Sequence, residues 1–321
     1  MATEKTSAPE LDEEDRDESE DEESEEEERD EDEERDSDED EDEDRESDAG
    51  RESGAAAKKA QAVVVTPAEP GGFMSSMRNV WTIGKRELRA YFDSLVAYVV
   101  IGLSMLGLGT YFFGFTLSGG FWQIDRATMA RMFDFAPGAL CLVIPLVTMG
   151  TLAEERRSGT IELLITMPVK DSEVILGKYI AALGLCTILL LATLTYPVAM
   201  FVWPWHLGPL DWGPVWTGYL GLFLYCGAGV AIGMMFSSFT ESQIISFFVT
   251  ALVMLGLWSL GLLVETFPGW AGDTFSFISF QSRFQPFARG LIDSRAVVYF
   301  VSVAVICLLV SFRALESRKW K

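Results

Sequence analysis

Glu154, Glu155, Arg156, Arg157 and Glu162 crowd into one short polar insert between two apolar runs, and their chemistry is that of recognition. Carboxylates and guanidinium groups so placed make charge-assisted hydrogen bonds to another charged surface. Ser158-Gly159 breaks the first helical turn of the insert, Thr160-Ile161-Glu162-Leu163-Leu164 starts a second short helix, and Pro168 stops it. Asp171 or Ser172 can then cap the helix that follows. The pattern predicts a helix across the mouth of a helical bundle, offering apolar Ile161, Leu163 and Leu164 beside its charges. A solvated hairpin that only sets topology is the plainer alternative. It would need the arginines but neither the apolar face nor the paired breakers.

Other reactive groups point away from catalysis. His206 is the only histidine, so a HExxH metal site is impossible. Cys141, Cys186, Cys226 and Cys307 all lie in apolar runs without C-x-x-C spacing and read as small buried residues, with no disulfide or metal expected. Gly102-Leu103-Ser104-Met105 places a serine in an apolar run but supplies no base to activate it. Leu117-Ser118-Gly119-Gly120-Phe121 matches four of five residues in the signature loop of ABC-family ATPases, yet falls at the outward end of a membrane span. The phosphate-cradling pattern GxxxxGK followed by Ser or Thr is missing. Gly84-Lys85-Arg86 and Gly177-Lys178-Tyr179 lack its upstream glycine and its hydroxyl. The chain is therefore expected to be no enzyme, and any energy it uses should arrive from another protein.

The elements that position the insert follow from composition. Residues 1–72 hold 33 of the 48 Asp and Glu but only 8 of the 25 Lys and Arg; residues 73–321 hold 15 acidic and 17 basic side chains. From residue 11 to 48 there is no aromatic residue and almost nothing but Glu, Asp, Ser and Arg, too little apolar surface to offset ordering entropy. The expected organisation is a disordered acidic tail over 1–53, an Ala/Gly/Pro linker over 54–72, and a membrane domain over 73–321. The acidic start offers no secretory leader. The tail could be a solvated appendage, or its charge could compete for basic surfaces on a partner.

About 20 apolar residues cross a bilayer as a helix. On that length spans are predicted near residues 95–117, 135–152, 174–202, 216–236, 244–263 and 296–312, the third longest and the last shortest. The third should tilt or begin outside the bilayer. Ahead of them Met77, Val80, Trp81, Gly84, Leu88, Tyr91 and Phe92 recur at helical spacing with Arg78, Lys85, Arg86 and Arg89 elsewhere, which predicts an amphipathic helix on an anionic inner leaflet. Twelve basic residues flank one side of these spans and five the other, which puts both termini in the cytoplasm. Trp203, Trp205, Trp212 and Trp216 suit an outer aromatic belt. The aromatic segment over 265–295 reads equally as a gate or as interfacial packing. Ionisable groups inside the spans are confined to the ends, at Asp134, Glu173 and Lys178, which argues against a proton-driven carrier.

The Glu-Glu-Arg-Arg-Ser-Gly-Thr-Ile-Glu-Leu-Leu block from Glu154, with Met167-Pro168-Val169 and Val174-Ile175-Leu176-Gly177-Lys178-Tyr179-Ile180-Ala181, resembles permease subunits of ABC-2-type exporters. It looks closest to the subgroup of gliding-motility and multicopper-enzyme-maturation permeases. The stretches from Gly84 to Phe92 and from Phe287 to Asp293 are similar to that subgroup as well. The likeness covers about residues 76–321; Ser94-Leu95 departs from the Ser-Pro common in relatives, leaving the start of the first span less sharply defined.

That resemblance implies an all-α integral membrane fold of the ABC-2, type V exporter-like kind, with six transmembrane helices behind an interfacial helix. It also implies a homodimer or heterodimer with a second permease, bound to cytoplasmic ABC ATPase subunits in a bacterial plasma membrane. The ATPase would hold the ATP, so this chain should need no cofactor; lipid surrounds it, and no nucleic acid is expected. Carried over by position, Glu154, Glu155, Arg156, Gly159, Thr160 and Glu162 form the coupling contact. The carboxylates would pair with basic groups of the ATPase, and Gly159 would permit the turn. Ser238, Thr240 and Glu241 form a second, weaker contact. A membrane anchor or assembly factor that recruits an ATPase without passing cargo is the alternative.

Overall fold

A computed structural model describes residues 73–114, 128–158, 170–201, 210–264, 266–267 and 269–317. The expected tail and linker over 1–72, the 117–121 motif, His206 with Trp203 and Trp205, and Gly159, Thr160 and Glu162 of the insert lie outside the described residues.

Helices form where apolar runs meet caps. Among the described residues α1 covers Phe73–Asp93, and Ser94 then accepts a hydrogen bond from the Val96 N–H to start α2, Leu95–Phe113. The serine makes that start sharp, where a less sharply defined one was expected. α3 is Ala130–Thr148, with Pro137 and Pro145 inside it, and α4 is the five-residue Ala153–Arg157. α5 and α6, Asp171–Thr193 and Thr195–Phe201, make one nearly continuous rod. Asp211 caps α7, Trp212–Phe239, and α8 follows over Gln243–Leu263. α9, Trp270–Ile278, and α10, Phe280–Ala288, precede α11, Ser294–Glu316, which Asp293 caps.

Six helical stretches among the described residues are long and apolar enough to span a membrane: Leu95–Phe113, Ala130–Arg157, Asp171–Met200, Trp212–Phe239, Gln243–Leu263 and Ser294–Glu316. The third is the longest, as expected. Its 30 residues rise about 45 Å at helical pitch, well beyond a hydrocarbon core of about 30 Å. The last differs from expectation. It runs 23 residues instead of being the shortest, because the Asp293 cap draws Ser294 and Arg295 into the first turn. At its other end an Arg313–Glu316 pair braces the final turn.

α7 is the axis of the bundle, packed by α3, α5, α8, α10 and α11. Its glycines let those neighbours in. A Cβ on Gly218 would sit 2.4 Å from the Phe133 ring, on Gly221 2.6 Å from Phe287, on Gly229 2.7 Å from Ile144, and on Gly233 2.0 Å from Thr148 Oγ1. Small residues give close approach where lipid removes any hydrophobic drive between helices. Within 265–295, α10 is interior. Phe280, Phe284 and Phe287 are buried among Phe133, Tyr225 and Phe300, with Phe280 edge-on to Phe300 at 5.4 Å. α9 instead exposes Trp270 and Phe277.

α1 is amphipathic, and its inner face lies along α5. Contacts advance together on both helices: Ser76 and Asn79 reach Glu173, Gly84 meets Gly177, and Leu88 lies over Gly184. The two helices therefore run in the same direction, and α1 leaves Met74, Met77 and Trp81 exposed on its other side.

Gly233→Ala should lower stability by about 1–3 kcal/mol through overpacking against Thr148, read as a fall in the thermal unfolding midpoint in detergent. Gly256→Ala, where a Cβ would meet nothing within 4 Å, should leave it unchanged or slightly raised. Equal effects at the two positions would refute the close-packing account.

Candidate functional site at the polar end of the bundle

α4 is too short to hold itself. Helices under about 12 residues are marginal alone, so its geometry must come from its surroundings. No side chain of its own N-cap residue, Leu152, can serve, and the cap comes from a distant residue. Ser237, fully buried in the last turns of α7, accepts from the N–H groups of Leu152 and Ala153 at 3.2 and 3.0 Å and donates to Met149 O. Within the helix, Glu154 and Glu155 take the first turn and Arg156 and Arg157 the last, the arrangement that complements the helix dipole.

The other side of α4 is held by charge. Glu155 Oε1 lies 2.9 Å from Lys178 Nζ on α5, and the same ammonium is 3.4 Å from Glu87 Oε2 on α1. Lys178 is only 6% exposed, so its pairing with two carboxylates offsets the desolvation of a buried cation. One and a half turns earlier on α5, the buried carboxylate of Glu173 accepts from Ser76 and from Asn79, the latter at 3.1 Å. Tyr91 donates to Val147 O at 3.2 Å, tying α1 to α3. Burial, then Cys186, Glu87 and Glu154, push its phenol pKa above the ordinary range, so it stays neutral. Glu87, Tyr91, Glu154, Glu155, Lys178 and Gln243 share a cleft of about 570 Å³.

The structure divides the expected contact residues into two groups. Glu154 is exposed, as is Arg157, which was not among them; Glu155 and Arg156 are half-buried, with Glu155 turned toward Lys178. At the second expected contact, Ser238 is buried and donates to Met235 O, while the Thr240 hydroxyl accepts from the Ser242 N–H at the start of α8. Glu241 is exposed. The two contacts do converge, since Ser237 beside Ser238 holds the first residue of α4. Sequence reasoning placed Ser237 in the link of the second contact without foreseeing it as the cap of α4, and gave Glu87 no role, because the partners of both lie far away in the chain. Lys178 and Glu173 carried a signal as ionisable groups at a span end. Among the described residues no group of three or more His, Cys, Asp or Glu could hold a metal ion.

The family model described as "ABC-2 family transporter protein" matches residues 32–314, beginning inside the acidic run. The chain is 26% identical over 200 residues to the "Probable ABC transporter permease protein NosY" of Stutzerimonas stutzeri, covering 59% of this chain and 68% of the relative. It is 33% identical over 121 residues to the protein of the same name in Pseudomonas aeruginosa, covering 36% of this chain and 42% of that relative.

Ser237→Ala should cost about 1 kcal/mol, the usual loss for a helix cap. Faster amide hydrogen exchange at Leu152 and Ala153 would localise the effect. Unchanged exchange there would mean that α4 does not depend on the serine.

Proposed function

The chain belongs to the ABC-2 family of transporter proteins, and from that premise we propose that it is driven by a separate ABC ATPase docking on α4 and the insert that follows. In this reading the protein is the permease half of an exporter in a bacterial plasma membrane. It works as a pair of permease chains, with α4 and both termini on the cytoplasmic side that the basic residues mark.

The observation that supports docking is the contrast within α4. Glu154 and Arg157 are free to face a partner, while the helix beneath them is clamped by Ser237 of α7 and Lys178 of α5. A push on so short and so firmly held an element moves the bundle rather than bending the loop, which is how an interface becomes a rigid-body displacement. Glu154 supplies a carboxylate for a basic group on the ATPase. Gly159, Thr160 and Glu162 extend the contact, and Glu241 adds a second acidic point from the α7–α8 link. Glu155 contributes by fixing the helix.

Affinity purification of the full chain from membranes should recover an ABC ATPase. Glu154→Lys should weaken that association by about tenfold or more through like-charge opposition, and Glu241→Lys by less. If the intact protein never associates with an ATPase, the reading fails. ATPase binding without any nucleotide-dependent movement of the helices would instead make the chain an anchor.

A further inference from the structure

Docking by itself does not require a buried lysine. α4 is already joined covalently to α3 and capped by Ser237 on α7, so a push on it reaches the α3–α7 side of the bundle directly. α1 and α5 form a second pair, which meets α7 through α5 and α3 through the Tyr91 hydrogen bond. Gly84 and Gly177 bring their backbones together, and Glu173 takes hydrogen bonds from Ser76 and Asn79. An ionic link from α4 to this pair runs through Lys178, which faces Glu155 at 2.9 Å and Glu87 at 3.4 Å.

We propose that Lys178 is the positioning residue that makes the α1–α5 pair follow the docking helix, so that one ATPase stroke moves both sides of the bundle; this rests on the docking reading above. The chemistry fits that role. One ammonium between two carboxylates is a bond that tolerates small rotations, because a lysine head group is a point charge with three rotatable donors. Glu87 supplies a second acceptor from α1, so the ammonium stays paired at both ends of any small shift. Removing the lysine takes away the cation that Glu87 and Glu155 share and leaves two like charges facing across the cleft, with Arg86 still beside Glu87, which separates α4 from α1. The part thereby set in motion carries exposed Met74, Met77 and Trp81 beside Arg78 and Lys85, a face suited to the membrane surface.

The test uses nitroxide pairs on the full chain, one at Arg157→Cys on α4 and one at Arg89→Cys on α1, both exposed positions. The four native cysteines are buried, so the thiol reagent selects the introduced ones. With the labelled chain and its copurified ATPase, the α1–α4 distance should be narrow and the same with and without trapped nucleotide. Lys178→Met should broaden it and make it nucleotide-dependent. Lys178→Arg, which keeps a cation between the two carboxylates, should restore the narrow distribution. If Lys178→Met does not fold, Glu155→Gln weakens the same bond while leaving Lys178 with Glu87, and the same broadening is expected. Distances in these variants identical to the unmodified chain, with ATPase bound, would overturn the relay alone. Recovery of no ATPase on the unmodified chain would overturn the docking reading and the relay with it.

Discussion

Lipid tails are as apolar as leucine, so nothing like the hydrophobic effect draws membrane helices together, and close packing has to do so. In this protein that constraint falls on one face of α7. Gly218 meets Phe133, Gly229 meets Ile144, Gly233 meets Thr148, and Ser237 meets Leu152. Each pair is separated by the same 85 positions as the last, so α3 and α7 run side by side in a single register. The three glycines supply depth, and the serine that completes the row supplies a hydrogen bond where the bundle meets water. A slip along this row would drive Phe133 or Thr148 into a side chain and would also uncap α4. Packing in the membrane and placement of α4 are thus one constraint.

The spans were legible because a bilayer imposes a length, and long apolar runs are read against it. Their ends were less so. The second span gains a turn at its N-terminal end despite Arg131 and Asp134, and the last gains residues at both ends, because charged side chains are tolerated where a helix reaches the interface. The aromatic stretch before α11 announced itself by composition. Only tertiary packing shows that Phe280, Phe284 and Phe287 fill the space beside Gly221 and Tyr225, whereas Trp270 faces out. α1 was legible as amphipathic, yet which of its faces meets α5 depended on Gly177, a residue nearly a hundred positions away.

The insert shows the same boundary between local and distant information. Its charges, its short first helix and its Ser-Gly break can be read locally, and the resemblance of the block to ABC-2 permeases is carried by them. Neighbouring residues on a helix point to different faces, so Glu154 and Glu155 could not both serve one purpose. Spacing alone did not say which turns inward. Lys178 decides it, from α5, by drawing Glu155 into the bundle and leaving Glu154 at the surface.

A buried ion pair is weak evidence for stability, since well-packed apolar residues often do as well. Its presence between α4, α5 and α1 therefore calls for another reason, and direction supplies one. Glycine contacts fix distance between helices but resist only compression. Ser237 resists motion of α4 along α7. A cation between two carboxylates resists separation, because pulling either helix away gives up one of the attractions that hold a buried charge. The α3–α7 face can therefore transmit a push, and the Lys178 cluster can transmit a pull. In the docking reading, a five-residue helix held in both senses moves its neighbours on the return stroke as well as on the power stroke.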